Sequence, residues 1–125
     1  MTRSLILFAH GARAASWVAP FERLAALTQA RMPDVPVSLA FLELMEPRLP
    51  AHVAQLAAQG VTSITIVPVF LGQGGHLLRD LPLLVEQLHA DHPQLALSVA
   101  GAVGEDVGVL NAMTDYCVAA FDSTA

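Results

Sequence analysis

Four short apolar runs, each followed by a segment with helical spacing, constrain the fold of this chain more than any other feature. The runs span residues 5–9, 37–42, 63–69 and 95–100 and consist mostly of aliphatic and aromatic residues, as strands covered on both faces do. No hairpin turn joins two successive runs, so each strand connects to the next through a helix. The alternation predicts an α/β fold: one doubly wound domain over residues 1–125, with a four-stranded parallel sheet and helices on both faces.

The helices are predicted from apolar positions that recur every three or four residues. They fall at about 16–32, 50–60 and 81–90, and a fourth includes 110–121. Asp80 and Pro82 are typical of a helix start, which places the third helix after them. The fourth carries an apolar stripe that predicts a buried face, so Cys117 is interpreted as a small core residue.

Chemically useful side chains follow three of the four strands. His10 follows the first, Glu43 and Glu46 follow the second, and His76 follows the third in a loop that is rich in glycine. Because the strand-to-helix connections of a parallel sheet emerge at its carboxyl edge, these side chains are expected on one rim. Two imidazoles and a carboxylate suit a divalent first-row metal such as cobalt, iron, nickel or zinc.

Arginine supplies every basic side chain other than histidine. The chain has six arginines, no lysine and a formal net charge of −5, which argues against binding to nucleic acid. Arg13, Arg48 and Arg79 fall in the loops that carry the candidate site. Since guanidinium binds carboxylate in a fixed fork, this placement predicts an anionic ligand with carboxylate groups. The remaining arginines are interpreted as solvated surface: Arg3, Arg23 and Arg31.

Each site residue also has a structural interpretation that the sequence leaves open. A histidine at a strand end is often a hydrogen-bonded structural residue, and Glu43 or Glu46 could stabilise the start of the next helix through its dipole. The glycines at 72–75 match neither a phosphate-binding loop nor a dinucleotide fingerprint. The other histidines have polar neighbours and are interpreted as surface residues: His52, His89 and His92.

The composition is strongly apolar. The apolar fraction is 54% and the charged fraction 14%, against a charged share of roughly 25% in typical domains. The excess is spread along the chain, so a homo-oligomeric interface is expected and a transmembrane helix is not. Residues 1–4 lead directly into the first strand without an apolar leader, which makes the cytoplasm the expected compartment. A single cysteine excludes a disulfide within one chain.

Two motifs resemble those of the short CbiX family of class II chelatases. One is His10-Gly11-x-Arg13 after the first strand, and the other runs from Pro68 to Pro82 as Pro-Val-Phe-Leu-Gly-x-Gly-Gly-His-x-x-x-Asp-x-Pro. The resemblance covers nearly the whole chain, and the second motif is the more specific. The resemblance implies an enzyme that inserts a divalent metal into the polycarboxylate tetrapyrrole sirohydrochlorin during cobalamin or sirohaem biosynthesis. Cobalt is the first choice of metal, with iron or nickel as alternatives.

The resemblance also implies roles for particular residues. His10 and His76 correspond to the family's metal-binding histidines, and Glu43 corresponds to an acidic residue of the larger relatives, with Glu46 as the second choice. The residues expected to bind the substrate are Arg13, Arg48, Arg79, Gly74 and Gly75. The divalent metal is itself a substrate, no organic cofactor is expected, and the short members of the family act as homodimers.

Two other functions stay open at this point. A carrier of tetrapyrrole or metal would need the same histidines and arginines without catalysing insertion, so the sequence separates it poorly from an enzyme. A small phosphatase that used His10 as a nucleophile beside Arg13 would leave the His76 loop without a role. The chelatase is therefore the preferred hypothesis.

Overall fold

The computed structural model describes residues 2–124, and the side chain of His76 lies outside the described part. Strands and helices alternate as the sequence predicts, with two short 3₁₀ turns between them. The elements are β1 Arg3–Ala9, a first 3₁₀ turn Ala15–Val18, α1 Ala19–Arg31, β2 Val37–Phe41, α2 Leu49–Ala58, β3 Ser63–Pro68, α3 Gly75–Asp91, β4 Ala96–Val99, a second 3₁₀ turn Val103–Glu105, and α4 Val107–Thr124. Within residues 2–124, no helix is both long and apolar enough to cross a membrane.

The four strands form one parallel sheet in the order β2-β1-β3-β4. The predicted α/β fold is thus confirmed. The chain leaves β1 towards β2 on one side and returns through α2 to β3 on the other, so the strand order reverses around β1. Ligands of open α/β sheets bind outside the carboxyl ends of the strands at such a reversal. In this chain the loops at that place carry His10 and the glycine-rich segment.

The main core lies on the side of the sheet that α2 and α3 cover. Alternation along the strands points Ile6, Phe8, Ile64 and Ile66 to this side, where each is at most 1% exposed. The helix residues that complete the same cluster are Leu49, Val53, Leu77, Leu81 and Leu88. This packing holds the ends of β1 and β3, and therefore the loops that follow them, in fixed positions.

Helix α3 begins at Gly75, six residues before the predicted start at 81. The prediction treated Pro82 as a residue of the first turn, whereas in the structure it lies inside the helix. Leu77 and Leu81 are buried in the core, and this burial offsets the hydrogen bond that a proline inside a helix removes. His76 is therefore in the first turn of α3 rather than in a loop.

The prediction that Cys117 is a core residue is wrong for this single chain. Cys117 is exposed, as is every described residue of α4 from Leu110 onwards. The apolar stripe of α4 exists, but no part of the sheet of this chain covers it. Periodicity reports that a face is apolar and cannot say which surface will cover it.

His52 on α2 is partly buried, which corrects its interpretation as a surface residue. Its Nε2 lies 2.8 Å from the Ser38 hydroxyl on β2. Its Nδ1 is buried and has no hydrogen-bond partner among the described residues. A proton on Nδ1 would be a buried donor without an acceptor, and burial correspondingly lowers the pKa of His52.

This lowered pKa makes stability depend on pH. As the pH falls through 6.5, the ordinary value for histidine, the unfolded chain binds a proton that the folded chain resists, so the free energy of unfolding decreases. We expect His52→Gln to lose less stability than the wild type between pH 8 and pH 5 in urea denaturation. Equal losses in the two proteins would contradict the assignment.

Candidate active site

The centre of the site is a hydrogen-bonded pair formed by His10 and Glu43. His10 follows directly on β1, and its Nδ1 lies 3.0 Å from Oε1 of Glu43. The backbone N–H of Gly11 donates to the other carboxylate oxygen over 3.2 Å. The side chains of His10 and Glu43 are 44% and 40% exposed, so the pair is open to a ligand. Glu46, the second choice, instead accepts a hydrogen bond from the backbone N–H of Arg48.

The pair has a defined protonation pattern. Partial burial by itself raises the pKa of Glu43, but the hydrogen bonds from His10 and Gly11 outweigh it, and the net pKa is lowered. Glu43 is therefore ionised at neutral pH and can only accept hydrogen bonds. In the neutral form of His10 the hydrogen therefore lies on Nδ1, facing the carboxylate, and the Nε2 lone pair is free for a metal ion.

A tight turn after β2 brings Glu43 to His10. The N–H of Met45 donates to the carbonyl of Glu43 over 2.8 Å, and Leu44 between them has φ 69°. This is a γ-turn with a positive φ, a conformation that an L residue such as leucine rarely adopts. Strained backbone of this kind is concentrated at functional sites. A Cβ on Gly11 would overlap the carbonyl oxygen of Glu43, so glycine is needed beside this turn.

Two aromatic residues that the sequence analysis did not single out also hold His10. The ring of Phe70 lies 4.8 Å from the imidazole at an angle of 49°, and the indole N–H of Trp17 donates to the backbone carbonyl of His10 over 2.8 Å. All three line an open groove of about 380 Å³ with Phe21 and Val103. Trp17 is the only tryptophan in the chain, and this was the one feature of the sequence that could have drawn attention to it. Its spacing from His10 does not indicate a contact between the two residues.

The glycine-rich segment after β3 borders this groove through Leu71 and Gly72. A Cβ added to Gly72, Gly74 or Gly75 would meet no atom of the described residues within 4 Å, and none of the three has a positive φ. Neither the backbone nor the packing of the described residues requires glycine there. Close approach by a bound ligand is a remaining physical reason for glycine at these positions.

Of the three arginines predicted in the site loops, Arg79 lies within α3 rather than in a loop. Arg13, Arg48 and Arg79 are exposed, and none forms an ion pair with a carboxylate among the described residues. The Nε of Arg79 makes a long contact of 3.4 Å with the carbonyl of Gly75. Arg48 lines a second groove, of about 320 Å³, together with Asp80 and Leu81. The guanidinium groups are therefore available to an anionic ligand.

The described side chains contain no cluster of three or more histidine, cysteine, aspartate or glutamate residues that could hold a metal ion. The second predicted ligand, His76, lies outside the described side chains. Its place in the first turn of α3 puts its backbone after the strand that neighbours β1. The role of His76 thus stays a prediction, whereas the structure brings His10 and Glu43 together.

Comparisons with known proteins agree with this geometry. The CbiX family model matches residues 4–119. A sirohydrochlorin cobaltochelatase of Methanocaldococcus jannaschii is 33% identical over 89 residues, which cover 71% of this chain and 62% of the relative. A sirohydrochlorin ferrochelatase of Bacillus subtilis is 31% identical over 81 residues, covering 64% of this chain and 31% of the relative. The chain thus spans less than two thirds of the length of these relatives.

Two solved structures have the same fold. The crystal structure of a CbiX protein from Marinobacter aquaeolei VT8 superposes with a TM-score of 0.84 at 33% identity, covering 97% of this chain and 98% of the other. SirB from Bacillus subtilis with Fe³⁺ superposes with a TM-score of 0.73 at 26% identity, covering 90% of this chain and 44% of SirB. Since the family model matches almost the entire sequence and the two predicted motifs lie within that match, this chain belongs to the CbiX family.

Proposed function

We propose that this protein is a chelatase that inserts a divalent metal ion, Co²⁺ foremost, into sirohydrochlorin. The main observation in support is the orientation of His10 at the carboxyl edge of the sheet. Its Nδ1 lies 3.0 Å from the Glu43 carboxylate. Relatives named sirohydrochlorin cobaltochelatase and ferrochelatase support this choice of substrates. Cobalt is proposed as the preferred metal because relatives named sirohydrochlorin cobaltochelatase are up to 41% identical to this chain over the matched residues.

The proposed mechanism assigns a separate task to each member of the pair. Nε2 of His10 binds the incoming metal, with His76 as the second ligand. Glu43 holds His10 in the Nδ1–H tautomer. When the metal passes from Nε2 to the ring nitrogens, the freed Nε2 accepts one pyrrole proton, Glu43 stabilises the resulting imidazolium, and the second proton leaves to solvent. Insertion exchanges a metal ion for two protons, so it requires no change of oxidation state. We therefore propose that no organic cofactor takes part.

Arg13, Arg48 and Arg79 are proposed to bind the carboxylates of the tetrapyrrole, and the glycines at 74 and 75 to let the ring approach the backbone. A charged hydrogen bond contributes about 1.5–3 kcal/mol, which corresponds to about a 10- to 100-fold change in binding. This proposal rests on the exposure of these arginines and on their lack of carboxylate partners among the described residues.

Replacing Arg79 by alanine should raise the KM for sirohydrochlorin by about tenfold or more, with a smaller change in kcat, because the lost contact acts mainly in binding. Steady-state assays at saturating metal measure both constants. Arg23→Ala is the matched control, because Arg23 is an exposed arginine on α1. An unchanged KM for Arg79→Ala would remove Arg79 from the substrate site.

We further propose that the protein acts as a homodimer in the cytoplasm. The exposed apolar residues of α4, among them Phe121 at 72% exposure, support an interface between copies. The single exposed thiol of Cys117 suits a reducing compartment.

Turnover tests the proposed function directly. The absorbance of sirohydrochlorin is followed with Co²⁺, Fe²⁺ and Ni²⁺ in turn, with the uncatalysed reaction as the reference. We expect acceleration and many metallated products per protein chain, with Co²⁺ fastest. A carrier would yield at most one metallated product per site, and that result would replace the chelatase by the carrier.

A further inference from the structure

The groove beside His10 has almost entirely apolar walls. They consist of aromatic and aliphatic side chains: Trp17, Phe21, Phe70, Val69, Leu71 and Val103. Among the described residues that line the groove, only His10 and Trp17 carry polar side-chain atoms, and the indole N–H of Trp17 is already bonded to the carbonyl of His10. A ligand in this groove can therefore form a polar contact with a side chain only at His10.

Trp17 is the groove aromatic that is most open to a ligand. It is 42% exposed, whereas Phe70 is 3% exposed and Phe21 is partly buried. A buried indole normally needs a partner for its N–H. The N–H of Trp17 has that partner within the chain, so a ligand could cover the ring without leaving a donor unpaired.

The position of the indole relative to His10 is fixed by three contacts. Its N–H donates to the His10 carbonyl over 2.8 Å, and the centroid of its ring lies 5.4 Å from that of Phe21 at an angle of 52°. The backbone N–H of Trp17 donates to the carbonyl of Ala14 over 3.0 Å, which closes the first 3₁₀ turn. The indole is therefore a surface already in place before a ligand arrives, and such preorganisation lowers the cost of binding.

The chemistry of a tetrapyrrole decides which part of it fits this groove. A carboxylate against the apolar walls would lose its water without gaining a partner, so the carboxylate rim belongs outside, where the arginines are exposed. A metal ion on Nε2 of His10 reaches the ring nitrogens across a face of the macrocycle and not through its edge. The apolar, conjugated face must therefore turn towards His10 and the indole beside it, and stacking of two such ring systems is favourable.

We infer that Trp17 is a substrate-binding residue: the face of the sirohydrochlorin ring stacks on its indole, which sets how far the ring lies from His10. This inference rests on the proposed function for the identity of the ligand. The groove holds about 380 Å³, at the lower end of the range of about 300–1,000 Å³ for ligand pockets. It can therefore hold one part of the ring while the carboxylate rim stays at the surface.

Two substitutions at Trp17 separate the ring from its N–H. Trp17→Leu removes the aromatic face and should raise the Kd for metal-free sirohydrochlorin about tenfold or more. Trp17→Phe keeps an aromatic face and should stay within about threefold of the wild type. Both variants lose the N–H contact with His10, so the comparison isolates the aromatic face. Isothermal titration calorimetry under anaerobic conditions measures the Kd, and circular dichroism checks that both variants fold.

Leu83→Ala is the matched control, because Leu83 is a 63% exposed apolar residue on α3 that does not line the groove. It should bind the tetrapyrrole as the wild type does. Wild-type affinity in Trp17→Leu, or an equal loss of affinity in Trp17→Leu and Trp17→Phe, would overturn the inference.

The wild-type protein offers a test that does not depend on any variant. Trp17 is the only tryptophan, so nitrogen–proton NMR spectra contain one indole N–H signal. Saturating metal-free sirohydrochlorin should shift this signal, because a conjugated ring changes the magnetic field at the atoms that it covers. Butanetetracarboxylate, which carries carboxylates without a ring, should leave the signal in place. An unmoved signal with bound sirohydrochlorin, or an equal shift with both compounds, would contradict stacking on Trp17.

The two proposals can fail separately. A protein that binds sirohydrochlorin through Trp17 without accelerating metal insertion would reject the chelatase and leave the stacking in place. An active enzyme whose Trp17→Leu variant binds sirohydrochlorin as tightly as the wild type would reject the stacking alone.

Discussion

Replacing His10 by alanine should slow cobalt insertion by about 10²- to 10⁴-fold, the range typical of a positioned acid–base group. The variant loses the imidazole whose Nε2 is kept free by the Glu43 hydrogen bond, and with it the proposed metal ligand and proton acceptor. The tetrapyrrole should still bind, because the arginines and the groove residues stay in place. Initial rates with Co²⁺, together with tetrapyrrole binding by fluorescence quenching, separate these two effects.

His89→Ala is the matched control, because His89 is an exposed histidine on the far part of α3 and should leave the rate within about twofold of the wild type. Rates that fall equally in both variants would point to a general effect of losing a histidine. Full activity in His10→Ala would reject the proposed mechanism, whatever the state of the dimer.

Changing Gly11 to alanine should damage both the fold and the reaction. The new Cβ would overlap the carbonyl oxygen of Glu43, so the γ-turn at Leu44 must move and the carboxylate with it. Overpacking of this kind costs about 1–3 kcal/mol of unfolding free energy. Displacing a residue that orients a metal ligand costs about 10- to 100-fold in activity. Urea denaturation and the insertion rate measure the two losses.

Gly72→Ala is the matched control for stability, since a Cβ at Gly72 meets no atom within 4 Å in the described part of the chain. Its stability should match or slightly exceed that of the wild type, because alanine restricts the unfolded chain. If Gly11→Ala were as stable as Gly72→Ala and as active as the wild type, the close contact between Gly11 and the Glu43 turn would have no functional weight.

The order of elements was predictable from the sequence because apolar periodicity is a local property. The main error in element boundaries concerned α3, which begins at Gly75 rather than at 81. The local signals of Asp80 and Pro82 favoured the later start. Burial of Leu77 against the core outweighed them, and burial depends on residues that are distant in the sequence.

The candidate site was predictable to the same degree. A parallel sheet collects the residues that follow its strands at one edge, so the sequence alone predicted that His10, Glu43 and the three nearby arginines lie close together. It could not choose between Glu43 and Glu46, because the choice depends on a γ-turn and on contact with Gly11. Nor could it connect Trp17 and Phe70 to His10, since both contacts arise from the way the chain closes in space.

The sequence by itself therefore determined the α/β fold, the residues at its functional edge and the presence of an apolar stripe on α4, all of which follow from local pattern and from the geometry of parallel sheets. Only the tertiary structure decided that Glu43 is the carboxylate that orients His10 and that no strand of the sheet covers the stripe on α4. The reason is physical. Hydrogen bonds and burial act between groups that meet in space, and a one-dimensional pattern states which residues are apolar or charged but not which of them meet.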